Sequence, residues 1–508
     1  MEEREIRLKK LKELKEKGIN PFEYKFERTH VADEIKRNFQ DLENMEVQIS
    51  GRVISERFHG KASFITIRDF SGTIQIYINI NNVGEDSYNF FKKYIDPGDF
   101  VGVKGTVFKT HTGEITISAN YLKLLTKSLL PLPEKYHGIK DVELRYRKRY
   151  LDLIANPQNI EIFIKRSILI KNIRDYLNKL GFIEVETPML QPIPGGATAK
   201  PFITFHNALN QNFYLRIAPE LYLKRLIVGG FEKVYEINRN FRNEGISTIH
   251  NPEFTMLELY LAYADYKDIM VLTENLISEV IYSINDGYLI DYNGMKINFE
   301  PPWQRFSYKE IFEEKTKVPI ENFRDIDFGL RYLKDEGIEL TKKPNFKNIV
   351  DEIFKEKVEK DLINPTIIYD FPIEMSPLAK KKRDNNGWVE RFEVFIRGME
   401  IANAFSELND PIDQKDRFLE EIKEKEKGDE ESHYFDSDYI EALEYGMPPT
   451  GGLGIGIDRL TMIVTNKDSI REVILFPQLK LKEEDEWKEL HLEWDQLVNY
   501  ILEITLVL

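Results

Sequence analysis

Asn238-Arg-Asn-Phe-Arg-Asn-Glu-Gly-Ile-Ser-Thr-Ile-His-Asn-Pro-Glu-Phe-Thr-Met-Leu-Glu-Leu-Tyr260 decides how the chain is read. Two runs of strand-forming residues flank a polar centre that holds Gly245 and Pro252, so the stretch reads as strand, loop and strand. The centre gathers Arg242, Glu244, His250 and Asn251, with Phe254 in the second strand. An arginine forks onto a phosphate or carboxylate through paired N–H donors, and an aromatic face can stack on a purine. The chain contains no G-x-x-x-x-G-K-[ST] run, so a nucleotide bound here is held in another way. On these residues alone, a polyphosphate site competes with a merely charged hairpin.

Two later stretches bear on the choice. Gly451-Gly-Leu-Gly-Ile-Gly-Ile-Asp-Arg459 places Arg459 where a helix should begin. Alternating glycines also mark tight packing of strand on helix, and the dinucleotide-binding spacing is incomplete, so Arg459 is the informative residue. Arg391-Phe-Glu-Val-Phe-Ile-Arg-Gly-Met-Glu-Ile-Ala-Asn-Ala-Phe-Ser-Glu-Leu-Asn-Asp410 carries Glu393, Glu400 and Glu407 at intervals of seven. Along one extended strand an odd interval sends side chains to opposite faces, so a bulge or bend is needed to gather them. Carboxylates gathered beside phosphates imply Mg²⁺, which binds one or two carboxylates plus substrate oxygens. Three exposed glutamates on a strand is the plainer reading.

Towards the N-terminus the pattern changes. Val47 to Leu125 holds five short alternating runs with a helix near Tyr88 to Tyr94, which points to a small Greek-key barrel of the OB type. Arg57, Lys61, Phe64 and Gln75 are candidates for the cationic and aromatic surface on which such barrels stack single-stranded nucleic acid; a core role for Phe64 competes. Met1 to Gly18 reads as a helix whose lysines are solvated or touch an RNA backbone. The domain plan is a helix and lead-in over 1–45, the barrel over 46–128, a proline-bearing linker over 129–150 and an α+β domain over 151–482. A charged helical insertion occupies about 308–365, and a tail of no assigned role occupies 483–508.

A chain of 508 residues exceeds one compact domain. Its formal net charge of −15 argues against a nonspecific nucleic-acid binder, though a local basic face is compatible with it. Cysteine is absent. That excludes disulfides and thiolate zinc, so no zinc is expected, and it fits a reducing, cytoplasmic setting. The opening residues lack a signal-peptide pattern, and no apolar run is long enough to span a bilayer. The longest candidate, Leu497 to Leu508, is short and contains Glu503. No membrane partner is expected.

In chain order these signals resemble the class II aminoacyl-tRNA synthetases, within the subgroup whose N-terminal OB barrel precedes a domain charging with lysine, aspartate or asparagine. Gly181-Phe-Ile-Glu-Val-Glu-Thr-Pro188 resembles the family's first motif, the Phe241-Arg-Asn-Glu244 hairpin its second, and the glycine strand ending in Arg459 its third. The resemblance implies an α+β catalytic domain on an antiparallel sheet flanked by helices, ATP as substrate, Mg²⁺, tRNA as partner, and a homodimer with Pro188 at its interface. The lysyl branch is favoured by Arg216-Ile-Ala-Pro-Glu-Leu-Tyr-Leu-Lys-Arg225, by Pro194-Gly-Gly-Ala197 and by Asn403, Phe405 and Glu407.

By that resemblance Gly196, Glu220, Glu258, Tyr260, Asn403, Phe405 and Glu407 surround the lysine. A desolvated ammonium needs a carboxylate partner, and Glu407 is that partner, with Glu220 near the amino groups. An aspartyl or asparaginyl enzyme would present a cation there instead. Arg242 and Arg459 are the implied catalytic residues. Glu244, His250, Asn251, Phe254, Glu393 and Glu400 complete the ATP site, with Glu393 and Glu400 on Mg²⁺. Arg57, Phe64 and Gln75 match anticodon-reading positions, and the chain departs from its relatives at Asn120-Tyr121, where they carry a glutamate. The implied reaction forms lysyl-adenylate and then transfers lysine to the 3′ end of tRNA.

Overall fold

The computed structural model describes residues 2–133, 139–426 and 434–480, so the expected tail over 483–508 lies outside the described residues. Two units emerge, Met1–Val142 with Tyr150–Pro157 and Glu143–Arg149 with Gln158–Leu508.

Burial of period two runs through the strands of the first unit, as it must when one face of each is core. β1 (Glu46–His59), β2 (Ala62–Arg68), β3 (Thr73–Asn79), β4 (Phe100–Lys109) and β5 (Ile115–Thr126) close a barrel in the order β1-β2-β3-β5-β4. The pairing of β3 with β5 is parallel and the others are antiparallel, the OB arrangement. A helix over Glu85–Tyr94 plugs it with Tyr88, Phe91 and Tyr94. Helix α1 (Glu2–Glu16) buries Leu14 in the barrel core and pairs Lys10 with Asp96 at 2.6 Å, so that lysine serves the fold.

The second unit is built on one large sheet. Its strands are β6 (Ile183–Glu184), β7 (Lys233–Phe241), β8 (Glu253–Ala262), β9 (Gln304–Ser307), β10 (Thr366–Pro372), β11 (Asn385–Ile396), β12 (Met399–Ser406) and β13 (Thr450–Gly456). They run in the order β9-β10-β11-β12-β13-β8-β7-β6, with Lys381–Lys382 added beside β11. The centre is antiparallel; only the outermost pairs are parallel. Helices α2 (Ile160–Lys179) and α4 (Tyr266–Asn285) share one apolar core with the sheet. The α4 start is fixed by Asp265, which accepts from the amides of Lys267 and Asp268, a cap worth about 1 kcal/mol. Helix α3 (Glu220–Val228) presents residues to the opposite, open face.

Between β9 and β10 lie three α-helices, α5 (Tyr308–Thr316), α6 (Ile326–Asp335) and α7 (Phe346–Lys357), with a core of their own. Tyr308 and Phe354 stack there with centroids 4.4 Å apart. Helix α8 (Ile457–Val464) follows β13 directly. Among the described residues no helix is long and apolar enough to cross a membrane.

Candidate active site

On the open face of the sheet two cross-strand rungs lie side by side. One reads Glu258, Gly454, Asn403, Glu393; the next reads Tyr260, Gly452, Phe405, Arg391. Residues opposite one another, and residues two apart along a strand, share a face, so all eight point the same way. The glycines stand mid-rung and leave a trough between large side chains. A Cβ at Gly452 would sit 1.8 Å from Glu407 Oε1, and one at Gly454 2.4 Å from Met256 Cε. These glycines are a pocket floor. The trough is a cavity of about 460 Å³.

The carboxylates with odd spacing reach this face through two local devices. Arg391 to Ala404 is a hairpin, not one strand, turning at Arg397 and Gly398 with φ of 50° and 66°. Register then slips, with Val394 opposite Ala402 but Phe395 opposite Glu400. The bulge absorbs Ile401 and returns Glu400 to the face of Asn403 and Phe405.

At one end of the trough Glu220, Glu258, Glu407 and Tyr260 are all buried. Gly196 closes over them at φ +88°, with a Cβ position only 2.9 Å from Glu220 Cβ. Tyr260 donates to Glu258 Oε2 at 3.3 Å. Burial first, then the neighbouring Glu220, pushes the Glu258 carboxyl up to about 8. Glu407 also has a partner within the chain. The ammonium of Lys224, fully buried, forms an ion pair with it and donates to Glu220 Oε1 at 2.5 Å. Burial alone would lower Lys224, but Glu220 and Glu407 outweigh it and hold the ammonium charged. Sequence reasoning passed over this residue, because a glutamate and a lysine four apart on a helix are ordinarily a solvated pair. Only the burial of α3 makes it otherwise.

The other end is more open and arginine-lined. Arg242 lies over the Phe254 ring at 5.1 Å, and its buried Nε has no hydrogen-bond partner. Arg459, in the first turn of α8, donates to Glu400 O at 2.7 Å and to His250 Nε2 at 3.1 Å. Arginine can only donate, so the His250 proton sits on Nδ1 and is donated to Ser247 Oγ at 2.8 Å. Desolvation in the cleft, then Arg459, pushes His250 down to about 4; the ring is neutral. Asn251 donates to Glu253 O at 2.6 Å and accepts from the Gln478 amide at 3.3 Å, which braces the loop. Glu244 stands exposed on that loop and lines the same cleft. Asp458 fixes the start of α8 by accepting from the Thr255 amide at 2.6 Å and pairing with Arg166 at 2.6 Å.

Along the trough wall Arg391 donates to Asn403 Oδ1 at 3.0 Å and pairs with Glu393. Burial raises Glu393 despite that arginine, with Glu400 and Asp351 adding to the rise. Glu359 is pushed up to about 8 by burial and by Glu393. Carboxylates outnumber cations here. Pro188 lies apart from the trough, exposed, in the segment after β6.

On the barrel, Arg57 pairs in register with Phe64, and Phe64 with Tyr77. Gln75 accepts from Thr116 Oγ1 at 2.9 Å. Phe64 is half-buried and belongs to an outer aromatic strip that the sequence reading did not assemble: His59, Phe64, Tyr77 and Phe108, with successive centroids 6.3, 5.0 and 6.2 Å apart. Period-two facing across four strands is its signature. Asn120 donates to Glu46 Oε2 at 2.8 Å, so a β1 carboxylate stands beside the departure at Asn120-Tyr121.

The family model for class II tRNA synthetases (D, K and N) matches residues 141–480, and that for an OB-fold nucleic acid binding domain matches residues 47–125. The chain is 57% identical over 475 residues to a lysine–tRNA ligase of Carboxydothermus hydrogenoformans, covering 94% of this chain and 97% of that one. It is 52% identical over 483 residues to a lysine–tRNA ligase of Bacillus subtilis, covering 94% and 97%. The chain belongs to the class II lysine–tRNA ligases. Within that family's frame, the residues expected around lysine and ATP converge on one trough: Gly196, Glu220, Glu258, Tyr260, Asn403, Phe405 and Glu407 at its closed end, and Arg242, His250, Glu393, Glu400 and Arg459 along the remainder. Glu244, Asn251 and Phe254 line the cleft that adjoins it.

Proposed function

We infer that the chain activates L-lysine with ATP to lysyl-adenylate and transfers the lysyl group to the 3′ end of its tRNA. The observation that carries this reading is the closed end of the trough. Glu220 and Glu407 flank one resident ammonium beside Glu258, so the pocket offers carboxyl oxygens to a cationic side chain, while an arginine-lined cleft adjoins it. The lysine ammonium enters among Glu407, Tyr260 and Glu220, and Phe405 lies along its aliphatic stem. The lysine carboxylate attacks the ATP α-phosphorus, the α–β bridge breaks, and pyrophosphate leaves. Arg242, with a free Nε, bridges carboxylate and phosphate as charge builds. Phe254 and Arg459 hold the adenine, and neutral His250 adds no charge beside the distal phosphates. The terminal ribose hydroxyl of tRNA then attacks the lysyl carbonyl and AMP departs. Positioning and electrostatics supply most of the acceleration.

A divalent cation fits the wall of the trough. Burial and then Glu400 and Asp351 raise Glu393, and burial and then Glu393 raise Glu359, which a bound cation relieves. Among the described residues no closed cage of three acidic or histidine side chains forms. That suits Mg²⁺, which takes its remaining ligands from phosphate and water. Glu393 and Glu400 would hold it, and it would supply charge neutralisation on the phosphates.

For the tRNA, Arg57, Phe64 and Gln75 read the anticodon on the barrel, with Tyr77 and Phe108 extending the stacking strip. The chain works in the cytoplasm as a homodimer with Pro188 at its interface, where Ile183 and Leu190, near Pro188 along the chain, are exposed apolar side chains. Lysine-dependent ATP–pyrophosphate exchange tested over all twenty amino acids checks the activity; exchange driven by another amino acid and not by lysine sinks it. Phe64→Ala is expected to raise KM for tRNA by roughly tenfold, about one stacked base, and to leave exchange unchanged. Sedimentation of the purified chain tests the dimer.

A further inference from the structure

The established reaction leaves one buried charged group unexplained. Lys224 Nζ lies between two pocket carboxylates and over two pocket rings, 5.5 Å from the Phe405 centroid and 5.9 Å from that of Tyr260. A buried ammonium is costly unless its partners are fixed and close, and here both partners are residues of the lysine pocket. Glu407 forms an ion pair with Lys224 through Oε2; both of its oxygens are buried without a hydrogen-bond partner, and Oε1 lies against Gly452 on the trough floor. One carboxylate oxygen thus faces a resident cation and the other lies at the trough floor.

We propose that Lys224 is a positioning residue that orients Glu407, holding Oε2 so that Oε1 receives the substrate side-chain ammonium. The proposal rests on the lysine-activating reading above. The charged and titratable groups facing Lys224 are Glu220 on its own helix, Tyr260 and Glu258 from β8, Glu407 after β12, and Tyr439 from the helix Ser437–Glu444. Burial, with Glu220 adding to it, holds the Glu407 carboxyl well above the usual carboxylate range, and Lys224 is the strongest influence in the other direction. Without it, Glu407 takes up a proton at higher pH and offers a neutral acid to the substrate. The pocket then loses its means of preferring a charged side chain over an uncharged one of equal length.

The test compares wild type, Lys224→Met, which keeps length and apolar stem, and Lys224→Arg, which keeps the charge. Exchange is measured against lysine, ATP and norleucine across the pH range. For Lys224→Met, lysine kcat/KM is expected to fall about tenfold with ATP KM unchanged. Its acid limb should move up by roughly one pH unit, and its preference for lysine over norleucine should shrink about tenfold. Lys224→Arg should keep the limb at the wild-type pH. A stable Lys224→Met with the wild-type limb and wild-type selectivity overturns the proposal and leaves Lys224 as packing. If that variant does not fold, an acid limb displaced in Lys224→Arg despite its retained charge overturns it instead. Absence of lysine-dependent exchange in wild type defeats the underlying activity, a different outcome from an unmoved limb.

Discussion

The two ends of the trough share one sheet face and differ in almost every physical respect. At the closed end Glu220, Glu258 and Glu407 are buried, and the resident Lys224 pairs with Glu220 and Glu407. At the open end Glu244 and His250 are exposed and Glu400 half-exposed, and Arg242 keeps an unpartnered Nε. Burial strengthens electrostatics and makes each unpaired group costly. The closed end can therefore discriminate among side chains by charge, but it must carry its own counter-ion. In the proposed reaction the open end meets a phosphate chain whose charge is common to every nucleoside triphosphate; Arg459 there is held by Glu400 and His250, while Arg242 keeps an unpartnered Nε.

The contrast is broken most severely by Arg242→Ala. Loss of the bridging guanidinium is expected to lower the exchange kcat by a hundred- to a thousandfold, about 3 to 4 kcal/mol, with lysine affinity nearly unchanged by calorimetry. Glu407→Gln probes the closed end. Lysine kcat/KM should fall by roughly a hundredfold, since a buried ammonium loses its charged partner, while ATP binding stays near wild type; equal loss of both would merge the two ends into one site. Gly452→Ala should lower lysine kcat/KM by about ten- to a hundredfold, because the new methyl displaces the Glu407 carboxylate. Retained lysine use there would mean the floor is not tightly set.

The smallest effect is on stability. Glu258 has its carboxyl raised from 4.5 to about 8 in the folded state, so the fold binds a proton that the unfolded chain has lost. Its contribution is fully present below about 4.5 and disappears as pH climbs through about 8. Glu258→Gln should flatten the fall of unfolding free energy over that window by up to about 1.4 kcal/mol per pH unit, read from denaturant midpoints. Part of the slope should persist, because Glu359 is raised in the same direction.

Much of this was legible in the residues. The alternation of Val47 to Leu125 announced a barrel, because one buried face imposes period two. The hairpin of Arg242 and Phe254, with Arg459 at a helix start, was legible as strand, loop and strand, and those three residues do line one cleft. The odd spacing of Glu393, Glu400 and Glu407 required a bulge, and a hairpin with a bulge between Val394 and Phe395 is what the chain forms. The reading failed where the answer depended on distant partners. Lys224, four residues after Glu220 on one helix, carried no local sign of burial, so its contact with Glu407 was not legible. The aromatic strip of His59, Phe64, Tyr77 and Phe108 was divided among separate strands.

What the sequence determined by itself was periodicity, turn chemistry and the inventory of charges, since these depend on residues close along the chain. Only the tertiary structure decided which charges meet. Burial of α3 against the pocket turns Glu220 and Lys224 from a surface pair into part of a buried triad with Glu407, and the register of β13 between β8 and β12 sets two glycines beneath it. Interaction energies between charges depend on separation and on exclusion of water, and neither quantity is written in sequence spacing.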